Sequence, residues 1–289
     1  MKKQFYREFW GSLSPDEFSH PEDLERLPLL SRSEYSRNYM NSEPHPEGLL
    51  ISHSSGSSGR DLVWRYRTKE EQRLIALLFA YGVPSALTIA IALRYGQHGM
   101  EMQIPTRGLV IPGSSWTKNG RDQCVELLRT GHNIGGNVIF PTSLSGQADD
   151  VTRLAESVME FGISEDLKIA DVYVAGDLRA ADWTAIHEAF PRAAVTQKYS
   201  LSEVFGGAQR GSPSQPYRLD PFVIGEVVGP DGRSVGQGEA GELVLTELFP
   251  FVQHQPLIRY RTGDVVVRES EDGSENLLFS NVSRVRGGG

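Results

Sequence analysis

Two periods of apolar and polar positions run along this chain, and the pattern changes near residue 222. Before that point, Ala86–Leu93 is a short apolar run of strand length. Thr68 and Glu71 have capping-box spacing ahead of Leu74, Ile75, Leu77, Leu78 and Phe79, which predicts a helix near 69–81. A loop-rich stretch surrounds a small strand at Leu109–Ile111. Helices and strands then alternate: helix 121–129, strand 137–140, helix 148–161, strand 168–175, helix 180–189 and strand 193–197. That order predicts a mostly parallel sheet covered by helices. Upstream, Pro28 divides two short helical pieces, and residues 46–53 read as a short strand.

After residue 222 the strands shorten to Val223–Val228, Glu242–Thr246, Asp264–Arg268 and Asn276–Phe279. Asp231-Gly232 and Asp272-Gly273 supply tight turns between them. The expected organisation is an α/β core over 1–222 and a smaller antiparallel β subdomain over 223–289.

Composition narrows the function. A formal net charge of -8 argues against nucleic acid as a partner, since phosphate recognition needs a basic face. The single cysteine, Cys124, excludes an internal disulfide and paired thiolate metal ligands. Its place inside an amphipathic helix predicts a buried, inert thiol. Met1-Lys2-Lys3 leads into aromatic and charged residues, not a signal peptide, and no apolar run is long enough to span a bilayer. The expectation is a soluble cytoplasmic protein with no membrane partner.

Three segments carry candidate chemistry. Ser54-Ser55-Gly56-Ser57-Ser58-Gly59-Arg60 reads as a loop between a strand and a helix. Glycines let backbone amides approach a phosphate, serine hydroxyls donate to it, and Arg60 adds charge. A flexible Ser/Gly linker explains the same residues equally well. No Walker Gly-Lys-Ser/Thr follows, and no Gly-x-Ser-x-Gly elbow is present. Tyr199-Ser200-Leu201-Ser202-Glu203 follows a predicted strand, where parallel sheets place ligand-contacting loops. A carboxylate there can hold Mg²⁺, although a solvated loop Glu is the commoner case. In Tyr260-Arg261-Thr262-Gly263-Asp264, an Asp at a tight Gly turn can accept bonds from ribose hydroxyls, or be a simple turn residue.

Taken in this order, the segments resemble those of the adenylate-forming superfamily, closest to its phenylacetate–coenzyme A ligase family. There they read Ser-Ser-Gly-Thr-Thr-Gly-Lys-Pro, Tyr-Gly-Leu-Ser-Glu and Ile-Arg-Tyr-Arg-Thr-Gly-Asp. Ile258 through Asp264 match the third intact, and Gly238 through Val244 resemble the family's GExGELV strand. The lead-in LERLPLLSRSEY is similar to its L…LPxxTKxDL. The resemblance spans about residues 20–286 and is weak between 85 and 165.

The resemblance implies the N-terminal core of such an enzyme: a helix-flanked, mostly parallel sheet with an antiparallel β subdomain. It implies ATP and Mg²⁺ as cofactors, activation of a small carboxylic acid as an acyl-adenylate, and transfer to a thiol such as that of coenzyme A. Ser54, Ser55, Gly56, Ser57, Ser58 and Gly59 would wrap the phosphates, with Arg60 as catalytic cation. Glu203 would be catalytic and hold Mg²⁺, with Ser202 beside it. Ala175, Gly176 and Asp177 would line the adenine, Tyr199 would flank it, and Asp264 would bind the ribose. The acid pocket would draw on residues 95–145, with Tyr95, His98 and His132 as candidates alongside Met100, Trp116 and Phe140. His53 could touch the triphosphate. A homodimer is the family-level expectation.

Two features depart from the family. Arg60-Asp61 stands where the family has Lys-Pro, and Ser200 replaces its Gly. The chain also ends at Val285–Gly289, so the family's C-terminal lid domain, with its adenylating lysine, is expected to be absent from it. The alternative function is therefore a nucleotide-binding partner of low activity that relies on a separate lid or has lost catalysis.

Overall fold

Why the middle of the chain becomes a parallel sheet is visible in its burial. In the computed structural model, which describes residues 4–18, 20–40, 45, 47–53, 63–71, 74, 89–93, 109–270 and 277–284, five strands pair in parallel. Their order is Leu109–Gly113, Ile89–Leu93, Pro141–Gln147, Asp171–Ala175 and Ala194–Ser200. Helices Lys118–Arg129, Ala148–Glu160 and Ala180–Ala189 share one apolar core with them, including Ile91, Leu144, Val151, Leu154, Val172 and Ile186. Burying each of these aliphatic side chains is worth about 1.5–3 kcal/mol. The expected α/β class, with a parallel sheet and helices, is what the structure shows.

Local chemistry sets the ends of these helices. Thr117 caps the first by accepting from the Gly120 amide at 3.1 Å. Asp149 and Asp150 open the second, where a helix favours negative charge. Asp150 is buried there and accepts from Ser115 Oγ at 2.6 Å and Arg153 Nη2 at 2.8 Å. Cys124 is buried as expected, and burial pushes its thiol pKa up.

The strand expected at 137–140 is present at Asn137–Ile139, but outside the parallel sheet. Residues 137–139 form an antiparallel hairpin with His132–Ile134, closed by Gly135 and Gly136 at φ +60° and +83°. The parallel strand is Pro141–Gln147 instead. Its sequence, PTSLSGQ, is rich in small and polar residues, so no apolar run announces it. Small residues suit the site: a Cβ on Gly146 would lie 2.9 Å from Val151 and 3.0 Å from Leu93.

An antiparallel sheet forms from Val223–Val228, Ala240–Glu247, Tyr260–Arg268, Leu278–Arg284 and Tyr217–Leu219, in that order. The four strands expected after residue 222 each have a counterpart: two start earlier than expected, and the last runs from Leu278 to Arg284 where 276–279 was expected, residue 276 lying outside the described residues. Leu50–His53 pairs with Trp64–Arg67 in a separate hairpin. The Ser/Gly segment therefore connects two strands, not a strand and a helix. Trp64–Arg67 escapes a hydropathy reading because the side chains on its buried parity are Arg65 and Arg67. The capping box at Thr68 and Glu71 is formed, with Thr68 N to Glu71 Oε2 at 2.5 Å and Glu71 N to Thr68 Oγ1 at 3.1 Å. Most of the helix expected after it lies outside the described residues, as does Asp272-Gly273. The two helical pieces around Pro28 appear as Pro21–Arg26 and Arg32–Tyr39.

By compactness the chain divides into two units. One comprises 1–71, 201–208 and 216–289; the other comprises 72–200 and 209–215. No helix of the described residues is long and apolar enough to cross a membrane.

Candidate active site

In the unit built around the antiparallel sheet, Glu203 and Asp264 are both buried, at 6% and 3% exposure. A buried carboxylate is costly unless it is paired or hydrogen-bonded. For Glu203 the partner is Arg32, whose guanidinium Nη1 meets Glu203 Oε1. Arg32 opens a helical turn capped by Ser31: the Ser31 amide donates to Glu34 Oε2 at 3.0 Å, and the Glu34 amide donates to Ser31 Oγ at 3.2 Å. The residue before that cap, Leu30, is held by strand backbone: Leu30 N donates to Arg259 O at 2.8 Å, and Arg261 N donates to Leu30 O at 2.9 Å. The strand that carries Asp264 thus also anchors the segment that carries Arg32.

Asp264 sits where that strand is irregular. Gly263 has φ +75°, and the pairing register shifts between Val265 and Val267 and, on the neighbouring strand, between Glu242 and Val244. Bulges of this kind re-aim side chains and recur beside active sites. Thr262 Oγ1 donates to Leu243 O at 2.7 Å and accepts from the Asp264 amide at 3.1 Å. The Gly263 amide donates to Glu242 Oε1 at 3.1 Å, and Glu242 is also paired with Arg261. The turn that carries Asp264 is therefore fixed on both sides.

The loop that carries Glu203 is fixed from below. The amide of Phe205 donates to Glu247 Oε1 at 2.5 Å. The other oxygen of Glu247 accepts from Arg65 Nη2 at 2.7 Å and from the Leu257 amide at 2.8 Å. Arg65 and Glu247 have no side-chain exposure. Burial works against the Arg65 charge, but Glu247 and Tyr35 outweigh it and hold the guanidinium protonated above its ordinary range. Arg67 lies over the Phe205 ring at 4.8 Å, and burial lowers its pKa to about 10.

In the unit built around the parallel sheet, Ala175, Gly176 and Asp177 lie at the C-terminal end of the strand Asp171–Ala175, where such sheets bind ligands. Gly176 turns the chain with φ +94°, a conformation that favours glycine. Buried Gln197 shapes this turn: its Nε2 donates to Gly176 O at 2.8 Å, and its Oε1 accepts from Arg210 Nε at 2.8 Å. Tyr199 is half-buried at the end of the next strand. His132 is half-buried in the 132–139 hairpin, with a buried Nε2 that has no hydrogen-bond partner among the described residues. Trp116 and Phe140 are exposed, at 57% and 38%.

Other expected site residues are outside the described part: Ser54 through Arg60, Asp61, Tyr95, His98 and Met100. His53 ends its strand with its ring edge-on to Trp64 at 6.1 Å. Ser202 is half-buried beside Glu203. Sequence reasoning missed Arg32, Arg65, Glu247, Arg259 and Gln197. The signal for the first two was present: Arg32 follows Ser31 in the quoted lead-in, and Arg65 shares strand parity with buried Val63.

No family model matches this sequence, and no curated protein matches it either. Solved structures do match its fold. A 2-hydroxyisobutyryl-CoA ligase, in an open conformation with 2-HIB-AMP and CoA, superposes with a TM-score of 0.75 at 18% identity, over 96% of this chain and 64% of that one. VinN superposes at 0.57 with 16% identity, over 83% of this chain and 62% of that one. VinN in complex with L-aspartate gives 0.54 with 19% identity, over 83% and 61%. This chain has the core fold of adenylate-forming enzymes. It spans a little under two thirds of the length of these neighbours.

Proposed function

We propose that this chain is the nucleotide- and acid-binding core of an ATP-dependent enzyme that activates a carboxylic acid as its acyl-adenylate and passes the acyl group to a thiol such as coenzyme A. The observation that carries this reading is the first unit's pair of buried carboxylates, Glu203 and Asp264, each on a braced turn. Their motifs occur in the order that the adenylate-forming resemblance requires. The fold neighbour that superposes at 0.75 is a ligase with an acyl-AMP and CoA.

In the proposed reaction a carboxylate oxygen attacks the α-phosphorus of ATP and pyrophosphate leaves. A thiolate then attacks the acyl carbon, the bond from that carbon to the AMP oxygen breaks, and AMP leaves. The protein's task is to bring anions together and stabilise charge as it develops. Asp264 accepts the ribose hydroxyls and fixes the nucleoside. Gly176 and its neighbours Ala175 and Asp177 line the adenine, with Tyr199 flanking it. The Ser54–Gly59 amides and hydroxyls and the Arg60 guanidinium hold the phosphates, and Ser202 adds a hydroxyl beside Glu203. Tyr95, His98 and His132 are the proposed contributors to the acid pocket.

Among the described residues no three His, Cys, Asp or Glu side chains gather as a metal cage. A single buried carboxylate still suits Mg²⁺, which takes one or two carboxylates and fills its shell with phosphate oxygens and water. Glu203 would hold it, and when bound it would neutralise charge on the phosphates.

Acid-dependent ATP–pyrophosphate exchange, measured across a panel of small aliphatic and aromatic acids, tests the reading. At least one acid should support exchange, and Glu203→Gln should lower it about 100-fold, the scale seen when one preorganised electrostatic group is removed. Exchange with no acid, or a Glu203→Gln enzyme as fast as the wild type, would contradict it.

A further inference from the structure

The Glu203 carboxylate that would receive the metal is already held by a cation. Arg32 reaches it from a different segment, 171 positions away in sequence. The Glu203 side chain is 7% exposed and that of Arg32 is 23% exposed, so the pair lies at a boundary between interior and solvent. The delivery of Arg32 is well constructed. Ser31 and Glu34 cap its turn, Leu30 is bonded on both sides to the backbone of Arg259 and Arg261, and buried Arg259 binds the carbonyls of Glu25 and Leu27 at 3.0 and 2.6 Å. A surface arginine reaching an acid by chance would need none of this bracing.

We propose that Arg32 is the resident countercharge of Glu203, and that a divalent cation reaches Glu203 only by displacing it. This rests on the nucleotide-site reading above and deepens it. A guanidinium and a hard divalent cation compete for the same carboxylate oxygen, so the bound state of one weakens the other by the same factor. The pair keeps Glu203 satisfied in the metal-free protein, where an unpaired buried carboxylate would be destabilising. Metal then enters with the nucleotide, whose phosphates supply the ligands that one carboxylate cannot. Arg32 is in this sense a positioning residue that sets how strongly nucleotide binding depends on metal.

The test uses Mn²⁺ as the metal and α,β-methylene-ATP as an uncleavable nucleotide. The quantity read is the ratio of nucleotide affinity with Mn²⁺ to that with EDTA, by calorimetry. Arg32→Gln should raise this ratio about tenfold, a modest share of the Coulomb term between charges a few ångströms apart. Arg32→Lys keeps a cation and should stay near wild type. Adding Glu203→Gln to Arg32→Gln should abolish the gain. If the nucleotide binds but Arg32→Gln leaves the ratio unchanged, or the gain survives Glu203→Gln, the exchange is wrong and the nucleotide site stands. If no form binds the nucleotide with or without Mn²⁺, the proposed function falls and takes the exchange with it.

Discussion

Glu247→Ala is expected to lower folding stability by about 3–5 kcal/mol, the usual cost of stripping one partner from a fully buried ion pair. Arg65 would keep its charge at 0% side-chain exposure and lose its carboxylate partner, while its bond to Gln255 O at 2.7 Å would remain. The amides of Phe205 and Leu257 would also lose their acceptor. A lower denaturant midpoint with little change in slope, equivalent to a few kcal/mol of stability, is the result to look for. The double variant Arg65→Met, Glu247→Leu should recover much of the loss, because neither member of the pair is left as an unpartnered buried charge. A Glu247→Ala protein as stable as the wild type would mean that this pair does not brace the Glu203 loop.

Arg259→Ala should be comparably severe, again about 3–5 kcal/mol. Its guanidinium makes paired bonds to Glu226 at 3.1 and 2.8 Å and reaches the Glu25, Leu27 and Gly232 carbonyls at 3.0, 2.6 and 2.9 Å. Burial raises the Glu226 carboxyl above its ordinary range even with this partner in place, so losing Arg259 would leave it costly to ionise. Alanine would also keep the positive φ of 49° at this position without the bonds that hold it. The consequence reaches the site. Leu30 pairs with the backbone of residues 259 and 261, so exchange of the Leu30 and Arg261 amides with solvent deuterium should accelerate together. Faster global unfolding without selective loosening of these two amides would separate the clamp from the site.

What could be read from the sequence followed from periodicity and capping. The helices Ala148–Glu160 and Ala180–Ala189 stand where the sequence put them, because first-turn acids, and in the first an apolar stripe, are local signals. Pro141–Gln147 was not legible, since a strand built of Ser, Thr and Gly for close packing carries no apolar run. Trp64–Arg67 was missed for the opposite reason, with charges placed where hydrophobes are expected. In the site, Glu203 and Asp264 could be found from motif order. The pairs that brace Glu203 could not: Arg32 reaches it over 171 positions and Glu247 holds the Phe205 amide over 42, and nothing local says which residues will pair. The intact Arg259 in the third motif was visible, but its role as a clamp on residues 25–30 belongs to tertiary structure.

The central claim, that the buried carboxylates of the first unit belong to a nucleotide site, meets its most direct test in AMP binding by calorimetry with wild type and Asp264→Asn. The wild type should bind AMP. Asp264→Asn should bind it about 10- to 100-fold more weakly, the loss expected when hydrogen bonds to a charged acceptor are weakened. No AMP binding by the wild type, or equal affinity in the two proteins, would contradict the account.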